Sequence, residues 1–366
     1  MSLLARELGG VPGVLSADQI TQSAAAIAAL QHPSGALAWY RGGHGDPWNH
    51  VEAAMALTIA GYHAEARAAY RWLAGRQLGD GSWFNYYRGD AVIDARLDTN
   101  VCAYVAAGLY HYLLATGDVD FVAEQFAVVD RAINFVLAWQ LSDGTVRWSL
   151  DGAGRAESYA LLTGSSSIYH SLRCAVALGE RLDVHRPSWV VAAGRLGHAV
   201  ANHPGAFAPK NEFAMDWYYP VLSGALTGGA AERRLRDGWE RHVMAGYGVR
   251  CVSTNDWVTA AETAECVLAL DALGLTSEAL DLFELTNRHR RDDGAYWTGL
   301  AYPGSVTFPD HEVTSYTAAA VLLAADALTS SSGASALFRH GFLGPIADLP
   351  EPDCRARTTA QDATTI

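Results

Sequence analysis

Apolar residues recur along this chain at helical spacing, and the pattern starts and stops about twelve times. Periodicity and helix stop signals predict helices over 17–31, 48–61, 63–78, 97–116, 118–139, 165–182, 186–203, 213–226, 229–245, 259–273, 275–290 and 311–328. Alternating β-branched runs are almost absent, so little strand is expected. The helices alternate in kind. The second, fourth and later even ones, as at 101–109 or 317–325, are rich in Ala, Gly, Cys and Ser with few charges, which suits a helix buried on most sides. The odd ones are amphipathic: within 277–290, Leu280, Phe283 and Leu285 oppose Glu278, Asp281, Glu284 and Arg288.

A repeat underlies the alternation. Without a gap, 52–83 aligns with 265–296, placing Ala56-Leu57 on Ala269-Leu270, Gly61 on Gly274, Glu65-Ala66 on Glu278-Ala279, Tyr70 on Phe283 and Asp80-Gly81 on Asp293-Gly294. The unit is a helix ending in Gly, a short turn, a second helix, and an Asp-Gly turn with an aromatic. A weaker echo pairs Tyr110-His111 with Tyr169-His170. Six inner and six outer helices predict an all-α fold, one closed (α/α)6 toroid of six hairpins over 1–338. Residues 339–366, with Pro345, Pro350, Pro352 and a Thr-rich end, read as a poorly ordered tail. This single ring replaces the two-domain expectation that 366 residues alone would raise.

Loop lengths are asymmetric. Inner helices reach the next outer helix in a few residues, whereas outer helices return through 32–47, 79–96, 140–164, 204–212, 246–258 and 291–310. All the long connections therefore share one face, which also receives the N-termini of the inner helices with their free amides. An active site belongs there. Seven of the eleven tryptophans, Trp39, Trp48, Trp83, Trp148, Trp217, Trp257 and Trp297, fall on these loops or at inner-helix starts.

Composition narrows the partners. With 26 basic against 39 acidic residues the net charge is −13, and Lys210 is the one lysine, which argues against nucleic acid and anionic membrane surfaces. No run approaches the roughly 18 apolar residues of a membrane span, and 1–15 lacks a secretion signal's pattern, so a cytoplasmic protein without membrane insertion is expected. The five cysteines, Cys102, Cys174, Cys251, Cys266 and Cys354, form no C-x-x-C pair. Cys102, Cys174 and Cys266 read as small core residues.

Each inner helix opens with polar or aromatic residues: Asp46, Trp48, Asn49 and Glu52; Asp98, Thr99 and Asn100; Ser165 to Ser167; Asp216, Trp217, Tyr218 and Tyr219; Asn255, Asp256, Trp257 and Glu262; Asp310, His311 and Glu312. Helix capping alone explains many of them. On a closed ring, however, they converge on one aromatic-lined cavity. Sugars stack on aromatic rings, and glycosidic cleavage needs one protonated and one ionised carboxyl; aromatic faces also suit the carbocations of isoprenoid chemistry. The glycine-rich run 42–48 between His44 and His50 follows no strand and lacks a P-loop lysine, so it reads as a tight loop shaping the cavity. His50 and Glu52 fall on different helix faces, which disfavours joint metal binding.

Two resemblances follow. The run Gln77-Leu78-Gly79-Asp80-Gly81-Ser82-Trp83 resembles the Q-x-x-x-G-x-W repeat of squalene cyclases and prenyltransferase-type toroids, with partial copies at 31–35, 140–144 and 293–297. It implies a scaffold in which the glutamine and tryptophan tie neighbouring repeats; the D-x-D-D, D-D-x-x-D and zinc-binding motifs of those enzymes are missing. The stretch from Asp98-Thr99-Asn100 through Tyr110 to Asp118, with Phe121, Ala132 and Phe135, and Ser165-Ser166-Ser167-Ile168-Tyr169 after it, resembles glucoamylase-like glycoside hydrolases, also six-hairpin toroids. That resemblance implies an acid on the loop before the third inner helix, Asp151 or Glu157, and a base near the start of the sixth, Glu312 or Asp310.

The expectation is thus a carbohydrate-active enzyme that hydrolyses an oligosaccharide or glycoside without metal or cofactor. Glu312 or Asp310 would activate water and Asp151 or Glu157 would protonate the leaving oxygen. Glu52, Asp98, Asn100, Asp216 and Glu262 would bind hydroxyls, and Trp48, Trp83, Trp217, Trp257 and Trp297 would form stacking walls. The alternatives are an isoprenoid enzyme on the same scaffold and a non-catalytic glycan- or lipid-binding toroid.

Overall fold

The computed structural model describes residues 8–345. In chain order its helices are α1 (Ala17–Ala28), α2 (Pro47–Ile59), α3 (His63–Arg76), α4 (Thr99–Ala103), α5 (Val105–Thr116), α6 (Val119–Leu137), α7 (Leu162–Arg181), α8 (Pro187–Asn202), α9 (Ala214–Leu222), α10 (Gly228–His242), α11 (Ala260–Ala272), α12 (Thr276–Glu284) and α13 (Ser315–Thr329). The fourth expected helix is thus broken at Tyr104 into α4 and α5, and the two together act as one inner helix. Inner helices α2, α4–α5, α7, α9, α11 and α13 each pack on the next, and α13 packs on α2, which closes the ring. Helices α1, α3, α6, α8, α10 and α12 form the outer layer. The sequence-based toroid is the observed architecture.

Composition explains the layering. Helix α11 buries Ala260, Ala261, Ala264, Val267, Leu268, Ala269 and Leu270 around its circumference, because small side chains let it pack against both ring neighbours and its outer partner α12. Cys102, Cys174 and Cys266 are buried in α4, α7 and α11 as small core residues. Helix α10 instead buries only Ala231, Leu235 and His242.

The glutamine–glycine motif is a clamp between successive outer helices. Gln31 Nε2 donates to the Gly35 and Glu65 carbonyls, Gln77 Nε2 to those of Gly81 and Val128, and Gln140 Nε2 to those of Gly144 and Ala192. Each glycine lies at positive φ against the backbone of the next outer helix. A Cβ on Gly81 (φ +97°) would sit 2.2 Å from the Arg131 carbonyl, and one on Gly294 (φ +86°) 2.6 Å from Gln22 of α1. Trp83, at 1% exposure, completes the clamp by donating to the Leu73 carbonyl at 2.8 Å.

Strand content is small, as the sequence predicts. The strands are β1 (Tyr86–Arg88), β2 (Ala91–Asp94), β3 (Leu97–Asp98), β4 (Ser149–Leu150), β5 (Val243–Met244), β6 (Gly248–Val249), β7 (Trp257–Thr259), β8 (Gly299–Ala301) and β9 (Val306–Thr307), all on outer-to-inner connections. They form antiparallel pairs β1–β2, β3–β4 and β5–β6 and the sheet β7-β8-β9.

Two further expectations change. The last inner helix begins at Ser315 rather than 311, because 310–314 is spent in a turn and an extended segment in which Val313 bridges Trp297. Residues 339–345 of the expected tail are docked: Arg339 pairs with Asp271 at 2.9 Å and His340 donates to the Val221 carbonyl. Residues 346–366, including Cys354, lie outside the described residues.

Candidate active site

The loop face holds a cavity of about 170 Å³ over the ring centre, lined by Trp39, Trp48, Asn49, Glu52, Met215, Trp257, Thr259, Ala261, Glu262, Glu265, Thr298 and Tyr316. Helical spacing sets the arrangement. Trp48 and Glu52, four apart, share one face of α2, and Glu262 and Glu265, three apart, share one face of α11. Asp46 caps α2 by accepting from the Trp48 and Asn49 amides, and its other oxygen accepts from Trp39 Nε1 at 2.7 Å and Asn49 Nδ2 at 2.6 Å. The loop carrying Trp39 is in turn fastened to the start of α13, where Ser315 donates to the Trp39 and Ala38 carbonyls. Trp39 packs edge-on against Tyr86 and Tyr316.

The carboxyls differ in environment. Glu52 and Glu265 are 6% and 7% exposed, and burial drives both above the ordinary carboxyl range. For Glu52 the neighbouring Glu265, Asp46 and Glu262 add to burial in favouring its protonated form. Glu265 instead accepts from the hydroxyls of Tyr218 and Tyr219, which favours its charged form and opposes the effect of burial. Burial raises Asp46 despite its four donors. Glu262 is half-buried and accepts from the Thr259 hydroxyl. Carboxyls in contrasting environments beside aromatic rings can supply both an acid and a base.

Of the residues expected from sequence, Trp48, Glu52, Trp257 and Glu262 line the cavity. Glu312 stands behind it, accepting from the hydroxyl of the lining residue Thr298 at 3.1 Å. The others are placed elsewhere. Asp310 is exposed, its side chain 95% open to solvent. Asp151 is held in the turn directly after β4 by an ion pair with Arg155, whose hydrogen bonds hold its pKa down, the opposite of what a proton donor needs. Glu157 is exposed on the same excursion. Asp98 caps α4 and accepts from Trp148 Nε1 at 2.5 Å; burial lifts it to about 6. Asn100 is buried in that helix's first turn. Asp216 accepts from the Thr163 amide and hydroxyl, tying α9 to α7. Trp83 and Trp217 are core residues, not walls: Trp217 donates to the Arg234 carbonyl and stacks on His242. Trp297 carries Arg291 over its ring at 4.4 Å.

His50 is a satisfied core histidine, accepting from the Leu37 amide and donating to the Ala69 carbonyl, and burial lowers it to about 4. His44 packs on Trp39 and Tyr86, and a Cβ on Gly43 would strike the Tyr40 ring at 2.5 Å, so the glycine-rich run does fold as a tight loop beside the cavity. A larger cleft of about 410 Å³ lies between this loop, Trp72 and Tyr87, but Asp46 is the single carboxyl among its lining residues, so it lacks the paired acids that cleavage requires. Among the described residues no cluster of three or more His, Cys, Asp or Glu is placed to hold a metal, and no helix is long and apolar enough to cross a membrane.

Sequence reasoning missed Glu265, Trp39, Met215 and Tyr316. A signal for Glu265 existed: in the ungapped repeat it falls on Glu52, so the two stand at equivalent positions of two inner helices.

A six-hairpin ring of this kind is the fold of several sugar-transforming enzymes. The fold matches a structure described as wild-type glycosidase at TM-score 0.65 with 16% identity, and a D-mannose isomerase at 0.65 with 11%, each match covering 86% of this chain and 97% of that one. A sugar epimerase from a ruminal bacterium matches at 0.56 with 13% identity, over 86% of this chain and 97% of the other. These likenesses show the fold alone. No family model matches the chain. It is, however, 49% identical over 355 residues to the MMP endo-(1,4)-3-O-methyl-alpha-D-mannosidase of Mycolicibacterium hassiacum, covering 96% of this chain and 97% of that protein. The chain belongs to that glycoside-hydrolase family. The squalene-cyclase resemblance goes no further than the glutamine–glycine clamp, and the isoprenoid reading has no support.

Proposed function

We propose that this protein is an endo-acting hydrolase of α-(1,4) links in a polysaccharide containing 3-O-methylmannose. The observation that carries the reading is the 49% identity to such an enzyme across nearly the whole of both chains. The cavity gives it chemistry. Glu262 is the half-exposed carboxyl of the lining, and the group it works with comes from α2, where Glu52 reaches the lining and Asp46 stands behind Trp39 and Asn49. One carboxyl protonates the leaving oxygen while an ionised one activates water or attacks the sugar, with Trp39, Trp48 and Trp257 as stacking surfaces. Glu312 acts through Thr298 as a positioning residue. The single ring over 1–338 is the catalytic domain.

Methylated mannan oligosaccharides incubated with wild type and with Glu262→Gln, Glu52→Gln and Asp46→Asn test this. At least a thousandfold loss of kcat is expected for Glu262→Gln and for one of the two α2 variants, with folded circular dichroism retained. Asp151→Asn and Glu157→Gln should stay within about twofold of wild type. A Glu262→Gln protein keeping more than a tenth of wild-type turnover would sink the assignment.

A further inference from the structure

Nine large apolar side chains are exposed among the described residues, and their distribution is uneven. Val119, Val191 and Leu280 lie on outer helices and Phe342 near the docked C-terminal segment, whereas Val92, Ile93, Phe213, Val306 and Phe308 all lie on outer-to-inner connections, the face that carries the cavity. Val306 and Phe308 are the most exposed of the nine, at 62% and 53%. Val306 opens β9 and Phe308 directly follows that strand, both on the β8–β9 hairpin and its continuation.

This hairpin is built into the cavity wall. Strand β8 pairs with β7, the Phe308 amide donates to the Gly299 carbonyl, and Trp257 Nε1 donates to the Phe308 carbonyl at 3.0 Å. The Phe308 ring meets the Trp257 ring edge-on at 5.2 Å. The indole lies across Gly299 so closely that a Cβ there would sit 2.2 Å from Nε1. Trp257 lines the cavity, so its ring contact leads from the cavity wall onto solvent-exposed Phe308, with exposed Val306 two residues away in the chain.

A glycan with free hydroxyls gains little from such a surface beyond ring stacking. A methyl ether replaces a hydroxyl donor with an apolar group, and removing that group from water is favourable on contact with an aliphatic or aromatic side chain. We propose that Trp257, Phe308 and Val306 form a specificity subsite that takes the O-methyl group of a methylated mannose residue next to the cleaved bond. The inference rests on the hydrolase reading above and adds to it which residues distinguish methylated from unmethylated chains.

The test compares kcat/KM on matched α-(1,4)-mannose oligosaccharides with and without 3-O-methyl groups. Wild type should prefer the methylated series, and Phe308→Ala combined with Val306→Ser should reduce that preference about tenfold, through KM rather than kcat. Phe308→Leu, which keeps an apolar side chain, should retain most of it. Both substitutions leave the Phe308 carbonyl in place for Trp257, so the wall stays assembled. A preference that survives the double change, or that falls equally with Phe308→Leu, overturns the subsite while leaving the hydrolase reading intact. A wild-type protein that cleaves neither series overturns the hydrolase reading and the subsite with it.

Discussion

The units 52–83 and 265–296 are copies of one design, put to the same use at their outer ends and to different uses at their inner ends. Outside, Gly81 and Gly294 each lie at positive φ against the backbone of a neighbouring outer helix, and Trp83 and Tyr296 are both buried beside them. Gln77 bridges to Val128, while its counterpart Arg290 reaches Gln22 and the Gln19 carbonyl of α1. Inside, Glu52 and Glu265 both line the cavity, but two tyrosine hydroxyls hold Glu265 whereas Glu52 is crowded by three carboxyls. The outer end is constrained by contacts between repeats and stays alike. The inner end is free to diverge, and there the two equivalent carboxyls sit in different surroundings.

The largest effect should separate the two tryptophans that sequence alone treats as equals. Trp83→Ala should cost about 4 kcal/mol of stability by urea denaturation, since the side chain is wholly buried and its N–H partnered; Trp257→Ala should leave stability nearly intact and raise KM. Similar losses from both would erase the distinction between clamp and rim. Next, Gly81→Ala should cost about 3 kcal/mol, because a Cβ collides with the Arg131 carbonyl at a φ that L residues avoid, while Gly42→Ala, at φ +71° with open space around it, should cost about 1 kcal/mol. Gln77→Ala, which strips two carbonyls of their donor, should cost about 2 kcal/mol with turnover per folded molecule maintained.

The smallest effect is a slope. Glu52 has its folded pKa raised above the ordinary 4.5, so the native state binds the extra proton. Its contribution is complete below about pH 4.5 and is lost as pH rises through the folded value. Thermal melts of Glu52→Gln, which mimics the protonated form, should therefore fall less steeply than wild type between pH 5 and 9. Parallel curves would mean that Glu52 is ionised in the folded protein and that the two inner ends do not differ as described.

Much of this was legible in the chain. Alanine-rich and amphipathic helices reveal the two layers because burial on all sides demands small residues, and loop lengths reveal the face because short turns can lie only at the other end. The candidate site was less so. Asp151 and Glu157 sit at the position that the glucoamylase resemblance implies, yet the 149–157 excursion folds back on its own Arg155, a local pairing invisible without coordinates. Asp216 and Trp217 open a helix as the sequence suggests, but both are spent on packing between helices, the first on Thr163 and the second on Arg234 and His242. Glu265 lies deeper in its helix than the polar opening residues singled out from the sequence, although the repeat places it on Glu52.

Closure of the ring sets an order on synthesis. Helix α1 packs on α13, Asn287 donates to the Val14 carbonyl, and Gly9 donates to Ser331, a partner 322 residues away. Helix α1 therefore waits for α13 before its inner face is fully covered, and α2 likewise lacks one of its two ring neighbours until α13 leaves the ribosome. A chain stopped short of α13 leaves the apolar side of α2 that α13 covers without its partner, so a folding helper that shields such a side would act longest on the opening hairpin, and a circular permutant beginning at 63 would move that waiting period to a different seam.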